Sequence, residues 1–156
     1  MSRLFRSVAT VFGAGYLPFA QGTMASLIAL LVYYFTKGDS NICAFIITTS
    51  LVVGFITVSV SEKSFAKKDP KEIVIDEFIG MFVSLYLLPF NIYYTIGAFC
   101  LFRFFDILKP FPIKRIERFS GSVGIIMDDV AAGIYANIIL QVVRLLIVYA
   151  PTTCCK

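Results

Sequence analysis

The chain has 156 residues, 58% of them hydrophobic, a formal charge of +4, and neither histidine nor tryptophan. Soluble domains carry roughly 45–50% apolar residues, so this composition excludes an ordinary soluble globule and predicts one integral membrane domain over residues 1–156. Without histidine there is no Ser-His-Asp triad and no phosphohistidine chemistry.

About 20 apolar residues suffice to cross a bilayer, and five runs qualify in chain order: 23–36, 41–61, 73–89, 92–108 and 129–149. The predicted fold is therefore all-α, a polytopic bundle of about five transmembrane helices. Ahead of the first run, Arg3 and Arg6 lead into "FGAGYLPFAQGT", a broken stretch that reads as a surface or re-entrant segment. No small-residue cleavage site of a secretory leader follows it. "GTMAS" then supplies Gly22, Thr23 and Ser26 at the start of the first apolar helix. Thr23 there is either a helix cap or, with the glycine and the exposed N–H groups, part of a phosphate site.

Alternation of five spans puts the N-terminus, the loop "EKSFAKKDPKE" and the loop 109–127 on one side. That side carries ten basic residues against two, Lys37 and Lys156, on the other. The positive-inside bias makes it, and the N-terminus with it, cytoplasmic. The positive charge is thus a topological signal that also favours anionic lipid headgroups, and nucleic acid is not an expected partner.

The acids fall on the same map. Asp76 and Glu77 open the third span, Asp106 closes the fourth, and Asp128 and Asp129 open the fifth, so all five meet one interface. Charges at membrane depth are expensive and mark function, although acids at helix N-termini also complement the macrodipole. Residues three and four apart share a helix face. Asp76, Glu77, Gly80 and Ser84 form one polar and small stripe, and Asp129, Ala132, Gly133 and Ala136 another. Small residues let such helices approach closely, within one chain or between the copies of a homo-oligomer. Clustered carboxylates with no histidine nearby suit a hard cation, Mg²⁺ before Zn²⁺, and Mg²⁺ pairs with substrate phosphate.

In "FRFFDILKPFPIKR", Arg103, Asp106 and Lys109 share a face. Arg103 either pairs structurally with Asp106 or grips phosphate oxygens with its planar fork. Lys114, Arg115 and Arg118 read as a solvated or lipid-facing rim, and Arg144, alone in the last span, as a snorkelling or structurally paired cation. "GSVGIIMDD" supplies a glycine turn before the two aspartates. Cys43 and Cys100 lie within spans, and Cys154 and Cys155 form neither a metal site nor a prenylation box.

The segments "GTMAS", "DEFIGMF", "FRFFDILKPFPI" and "GIIMDDVAAGI", in this order, resemble the phosphatidylglycerophosphatase A family over about 12–138. The resemblance implies a Mg²⁺-dependent phosphatase of phospholipid biosynthesis. It would convert phosphatidylglycerophosphate to phosphatidylglycerol and phosphate at the cytoplasmic face of a bacterial inner membrane. Its acidic positions match Asp76, Glu77, Asp106, Asp128 and Asp129; of these, Asp76, Glu77 and Asp129 are the expected metal ligands. Its Thr/Ser pair matches Thr23 and Ser26, and its basic positions match Arg103 and Lys109, the expected phosphate contacts. The first motif departs from the family's PGTxGS pattern, with Gln21 for the proline and Ala25 for the second glycine. A carboxylate-lined cation transporter and a CDP-alcohol phosphatidyltransferase are the alternatives. The transferase's long Asp-Gly to Asp signature is missing, and transport sites tend to lie at the bilayer midplane.

Overall fold

The computed structural model describes residues 21–64, 74–117, 119 and 121–149. All regular structure among them is helical: α1 Gln21–Thr36, α2 Ser40–Ser64, α3 Ile75–Leu85, α4 Ile92–Leu108, the single turn α5 Ile113–Ile116, and α6 Ser122–Tyr149. The expected N-terminal surface segment, Arg3, Arg6, most of the basic loop before α3, Arg118, Cys154 and Cys155 lie outside the described residues. Each of the five apolar runs coincides with a helix, but only α2 and α6 are long and apolar enough to cross a membrane.

The departures have physical causes. The run 73–89 contains a helix of only 11 residues, about 16 Å long at 1.5 Å per residue, because the chain turns out at Tyr86, whose backbone is extended, and Leu87, with φ at +60°. Its end is covered by side chains of α6. Asn137 Nδ2 donates to Ser84 O at 3.1 Å and to Tyr86 O at 2.7 Å, while Gln141 Nε2 and Arg144 Nη1 donate to Leu87 O at 3.2 and 3.1 Å. Terminal helix carbonyls need partners wherever water is scarce, and Arg144 also places a cation at the negative end of the α3 dipole. The last helix starts at Ser122, not at 129, so Asp128 and Asp129 sit nearly two turns inside α6. Gly121 makes the turn ahead of it with φ at +86°, whereas Gly124 is already helical and pressed against the Phe119 carbonyl.

α3 sits at the centre of the bundle, packed mainly on α6 and also against α1, α2 and α4. Its small residues allow the approach. A Cβ on Gly80 would lie 2.6 Å from the Phe102 ring and 2.7 Å from the Asp129 carbonyl oxygen, and one on Gly133 would overlap the Gly80 carbonyl. Two apolar clusters flank this contact. One joins Tyr33, Phe82, Leu85, Phe102, Ala132 and Leu140; the other joins Ala25, Val58, Ile75, Ile79, Ile126 and Val130. The outward faces are apolar as well, with Phe35, Phe45, Ile56, Tyr93, Ile107 and Leu146 exposed. A water-soluble monomer rarely presents apolar surface so continuously.

Replacing Asn137 by Leu leaves two α3-end carbonyls without donors. The expected loss is about 2 kcal/mol, a fall in thermal midpoint of about 4–8 °C for a chain of this size. Thermal unfolding of detergent-purified protein checks this, and an unchanged midpoint would show that the α6 side chain does not secure the end of α3.

Candidate functional site

Antiparallel alternation brings the start of α1, the start of α3, the end of α4 and the first turns of α6 to one end of the bundle. The carboxylates of Asp76, Glu77 and Asp129 converge there, each offering an oxygen within 4.8 Å of the others. Asp129 is buried, and its neighbours include both Glu77 and Asp106. The Gly80–Gly133 approach is the local cause. It sets the α3 backbone against the Asp129 carbonyl, so side chains one turn earlier on the two helices meet.

Cations frame the cluster. Arg103 Nη1 stands 2.7 Å from Asp106 Oδ2, one helical turn apart. The two are charge-paired, but the Nη1 hydrogens are not aligned on the carboxylate, and both Arg103 Nη1 and Glu77 Oε2 are buried without a hydrogen-bond partner. Gly22 is the third wall: a Cβ there would overlap Glu77 Oε1 and come within 3.1 Å of Arg103 Nη1. With these side chains where they stand, a Cβ at Gly22 would push the Glu77 carboxylate aside. Buried polar groups left unpaired are rare, and Glu77 Oε2, beside Gly22 and Arg103, is such a group.

The remaining expected residues lie on the same elements. Thr23 lies half-buried in the first turn of α1, inside the helix rather than at a cap position. Ser26 is fully buried, and its hydroxyl donates to the Gly22 carbonyl at 2.9 Å. Ala25, where a glycine was expected by resemblance, is fully buried against Val58 and Ile79. Lys109 ends α4 in the left-handed conformation, φ +43°. Its Nζ donates to Asp128 Oδ2 at 2.6 Å and to Glu117 Oε1 at 2.8 Å. Burial by itself would lower the Lys109 pKa, but these two carboxylates outweigh it and raise the pKa above the ordinary lysine value. Asp128 is buried, with Oδ1 accepting from the Asp129 N–H at 3.0 Å.

Two residues in this arrangement escape the sequence reading. Gly22 is noticed there as part of a motif, but its contact with Glu77 and Arg103 depends on the packing of α1 against α3. Glu117 stands in a basic rim, and only the turn through α5 carries it back to Lys109.

The fold and site define a protein that is helical throughout its described regular structure, with a carboxylate cluster flanked by an arginine at one end of its bundle. The phosphatidylglycerophosphatase A family model matches residues 7–144, and the chain belongs to that family. It is 34% identical to phosphatidylglycerophosphatase A of Escherichia coli over 90% of this chain and 83% of that one. It is 36% identical to the Haemophilus influenzae protein of the same name, over 88% and 86%. A Bacteroides thetaiotaomicron protein, provisionally named a phosphatidylinositol-3-phosphatase, is 37% identical over 88% of this chain and 91% of its own. No solved structure matches the chain.

A methyl group at Gly22 displaces the Glu77 carboxylate. Gly22→Ala is therefore expected to weaken Mn²⁺ binding about tenfold, or about 1.4 kcal/mol, read by the paramagnetic signal of free Mn²⁺ during titration. Wild-type affinity in the variant would put Glu77 outside the cation's shell.

Proposed function

We propose that the protein hydrolyses the terminal phosphate monoester of phosphatidylglycerophosphate, releasing phosphatidylglycerol and inorganic phosphate, with Mg²⁺ as cofactor. The observation that carries this reading is the convergence of the Asp76, Glu77 and Asp129 carboxylates, with Glu77 Oε2 buried without a hydrogen-bond partner and Arg103, ion-paired to Asp106, beside it at Gly22, in a chain of this family.

Asp76, Glu77 and Asp129 are the residues that would hold the ion, since their oxygens already converge and carboxylates are the ligands Mg²⁺ prefers. When bound, Mg²⁺ offsets charge on phosphate oxygens and lowers the pKa of water. The chain's own groups do the rest. Arg103, oriented by Asp106, turns its free donors toward the phosphate, and the first turn of α1, with Thr23 and with Ser26 acting through Gly22, presents N–H groups and a positive dipole end. Lys109 adds positive charge at the same edge. A carboxylate of the cluster takes the proton of the attacking water as the bond from phosphorus to the glycerol oxygen breaks, and returns it to that oxygen to leave the glycerol hydroxyl. Such preorganised donors each contribute about 2.7–4 kcal/mol to the transition state.

The outward apolar faces support embedding in a bilayer through α1, α2, α4 and α6, with the 11-residue α3 covered by the others. In that arrangement the site faces the cytoplasmic side of a bacterial inner membrane, where acyl chains stay in lipid while the phosphorylated headgroup reaches Arg103. Hydrolysis is favoured over cation transport because the acids of α3 occupy its first turn, at one end of the bundle, and transport sites tend to lie at the midplane.

The name of the Bacteroides relative favours a second substrate reading, a phosphorylated inositol lipid. Phosphate release from detergent-purified protein is measured with each lipid, with Mg²⁺ and with excess chelator. Release from phosphatidylglycerophosphate that requires Mg²⁺ is expected, and Asp76→Ala and Asp129→Ala are each expected to lower it by about 100-fold or more. Turnover of the inositol lipid alone moves the assignment to that class. Full activity in both folded aspartate variants would remove the carboxylate cluster from the chemistry.

A further inference from the structure

Lys109 is bound on two sides. Its Nζ lies 2.6 Å from Asp128 Oδ2 and 2.8 Å from Glu117 Oε1, so two of its three hydrogens are engaged by carboxylates of different elements. Asp128 is almost wholly buried while Glu117 is about half exposed. Nothing in the reading of the site assigns a role to Glu117. Its position follows from the turn: α4 stops at Lys109 in the left-handed conformation, and α5 lets Glu117 return over the Lys109 side chain, its N–H bonded to the Ile113 carbonyl at 3.1 Å. On the other side, Asp128 has both oxygens fixed, Oδ2 by Lys109 and Oδ1 by the backbone N–H of Asp129. The chain Glu117–Lys109–Asp128 therefore ends on the backbone of a residue in the carboxylate cluster.

We propose that Glu117 is a positioning residue. It holds the Lys109 ammonium on Asp128 and away from the substrate's phosphate, so that Lys109 fixes Asp128, and through it Asp129, instead of gripping the lipid headgroup. A lysine that gripped substrate would be a mobile point charge. Here its donors are spent on carboxylates, and a group that orients a ligand-bearing residue typically matters by about 10–100-fold when removed. The proposal rests on reading the Asp76–Glu77–Asp129 cluster as a lipid-phosphate site.

Two measurements on the full chain test it, one of them independent of turnover. In acetic anhydride labelling followed by mass spectrometry, Lys109 is expected to react about tenfold more slowly than Lys37 and Lys114, because two carboxylates hold its nitrogen as the ammonium and only the free amine attacks the anhydride. Glu117→Gln is expected to raise the Lys109 rate, and inorganic phosphate to leave the wild-type rate unchanged. Labelling of wild-type Lys109 as fast as Lys114, or its protection by phosphate, overturns the proposal. In kinetics, Glu117→Gln is expected to lower kcat about tenfold with KM and thermal midpoint unchanged, and to add nothing on a Lys109→Met background. A rise in KM at constant kcat, or an unaltered kcat, overturns it as well. If wild-type protein releases no phosphate from either lipid, the proposed function falls, while the labelling still decides whether Glu117 holds Lys109.

Discussion

The contact between the backbones of α3 and α6 at Gly80 and Gly133 is the constraint on which the rest depends. Neither residue leaves room for a Cβ, and the Asp129 and Gly80 carbonyls lie against the opposite helix. Two helices at that separation cannot keep their polar stripes apart. Asp76 and Glu77 on one, and Asp129 on the other, are brought within a few ångströms one turn from the contact. A wider crossing, as alanine or valine at Gly133 would impose, separates the carboxylates before it disturbs the apolar clusters on either side.

That proximity creates an electrostatic demand which the surrounding elements meet only in part. Like charges in a medium of low dielectric repel strongly, and among the described residues two cations are ion-paired at this end, Arg103 with Asp106 and Lys109 with Asp128 and Glu117. Each is matched to an acid outside the three-carboxylate cluster. Among the described residues no ion pair reaches Asp76, Glu77 or Asp129, an arrangement in which oxygen ligands can take a divalent cation. The starts of α1 and α3 contribute their dipole ends, a weaker and fixed term that favours an anion arriving together with the ion.

How much of this was legible in the sequence follows from which facts are local. The five apolar runs, the alternation that gathers the acids at one end, and the two small-residue stripes are periodic or compositional, and each corresponds to an observed helix or contact. The extent of α3 and α6 was not legible. Hydropathy continues through Leu87 and Leu88 whether or not the backbone stays helical, and it is interrupted before Asp128 although the helix is not. Side-chain partners were legible only where both lie on one helix, as for Arg103 and Asp106. The Lys109 clamp joins three elements through a left-handed residue and a single helical turn, and no spacing rule reports such a path.

The same contrast explains why α3 can be short. A helix that ended at Leu85 against lipid or an apolar core would leave its last carbonyls unpaired, at several kcal/mol each. Asn137, Gln141 and Arg144 remove that cost from α6, at roughly one-turn intervals on the face that carries Asp129 and Gly133 further up. One face of α6 thus performs two tasks: toward its start it supplies a carboxylate and a close approach, and toward its end it supplies donors. Because α3 is held at both ends by the same partner, its carboxylates are positioned by a rigid pair of helices and not by the loops around them. For a reaction in which a charged headgroup must be brought to fixed oxygens while its acyl chains remain mobile, that division places the rigidity where the proposed chemistry requires it.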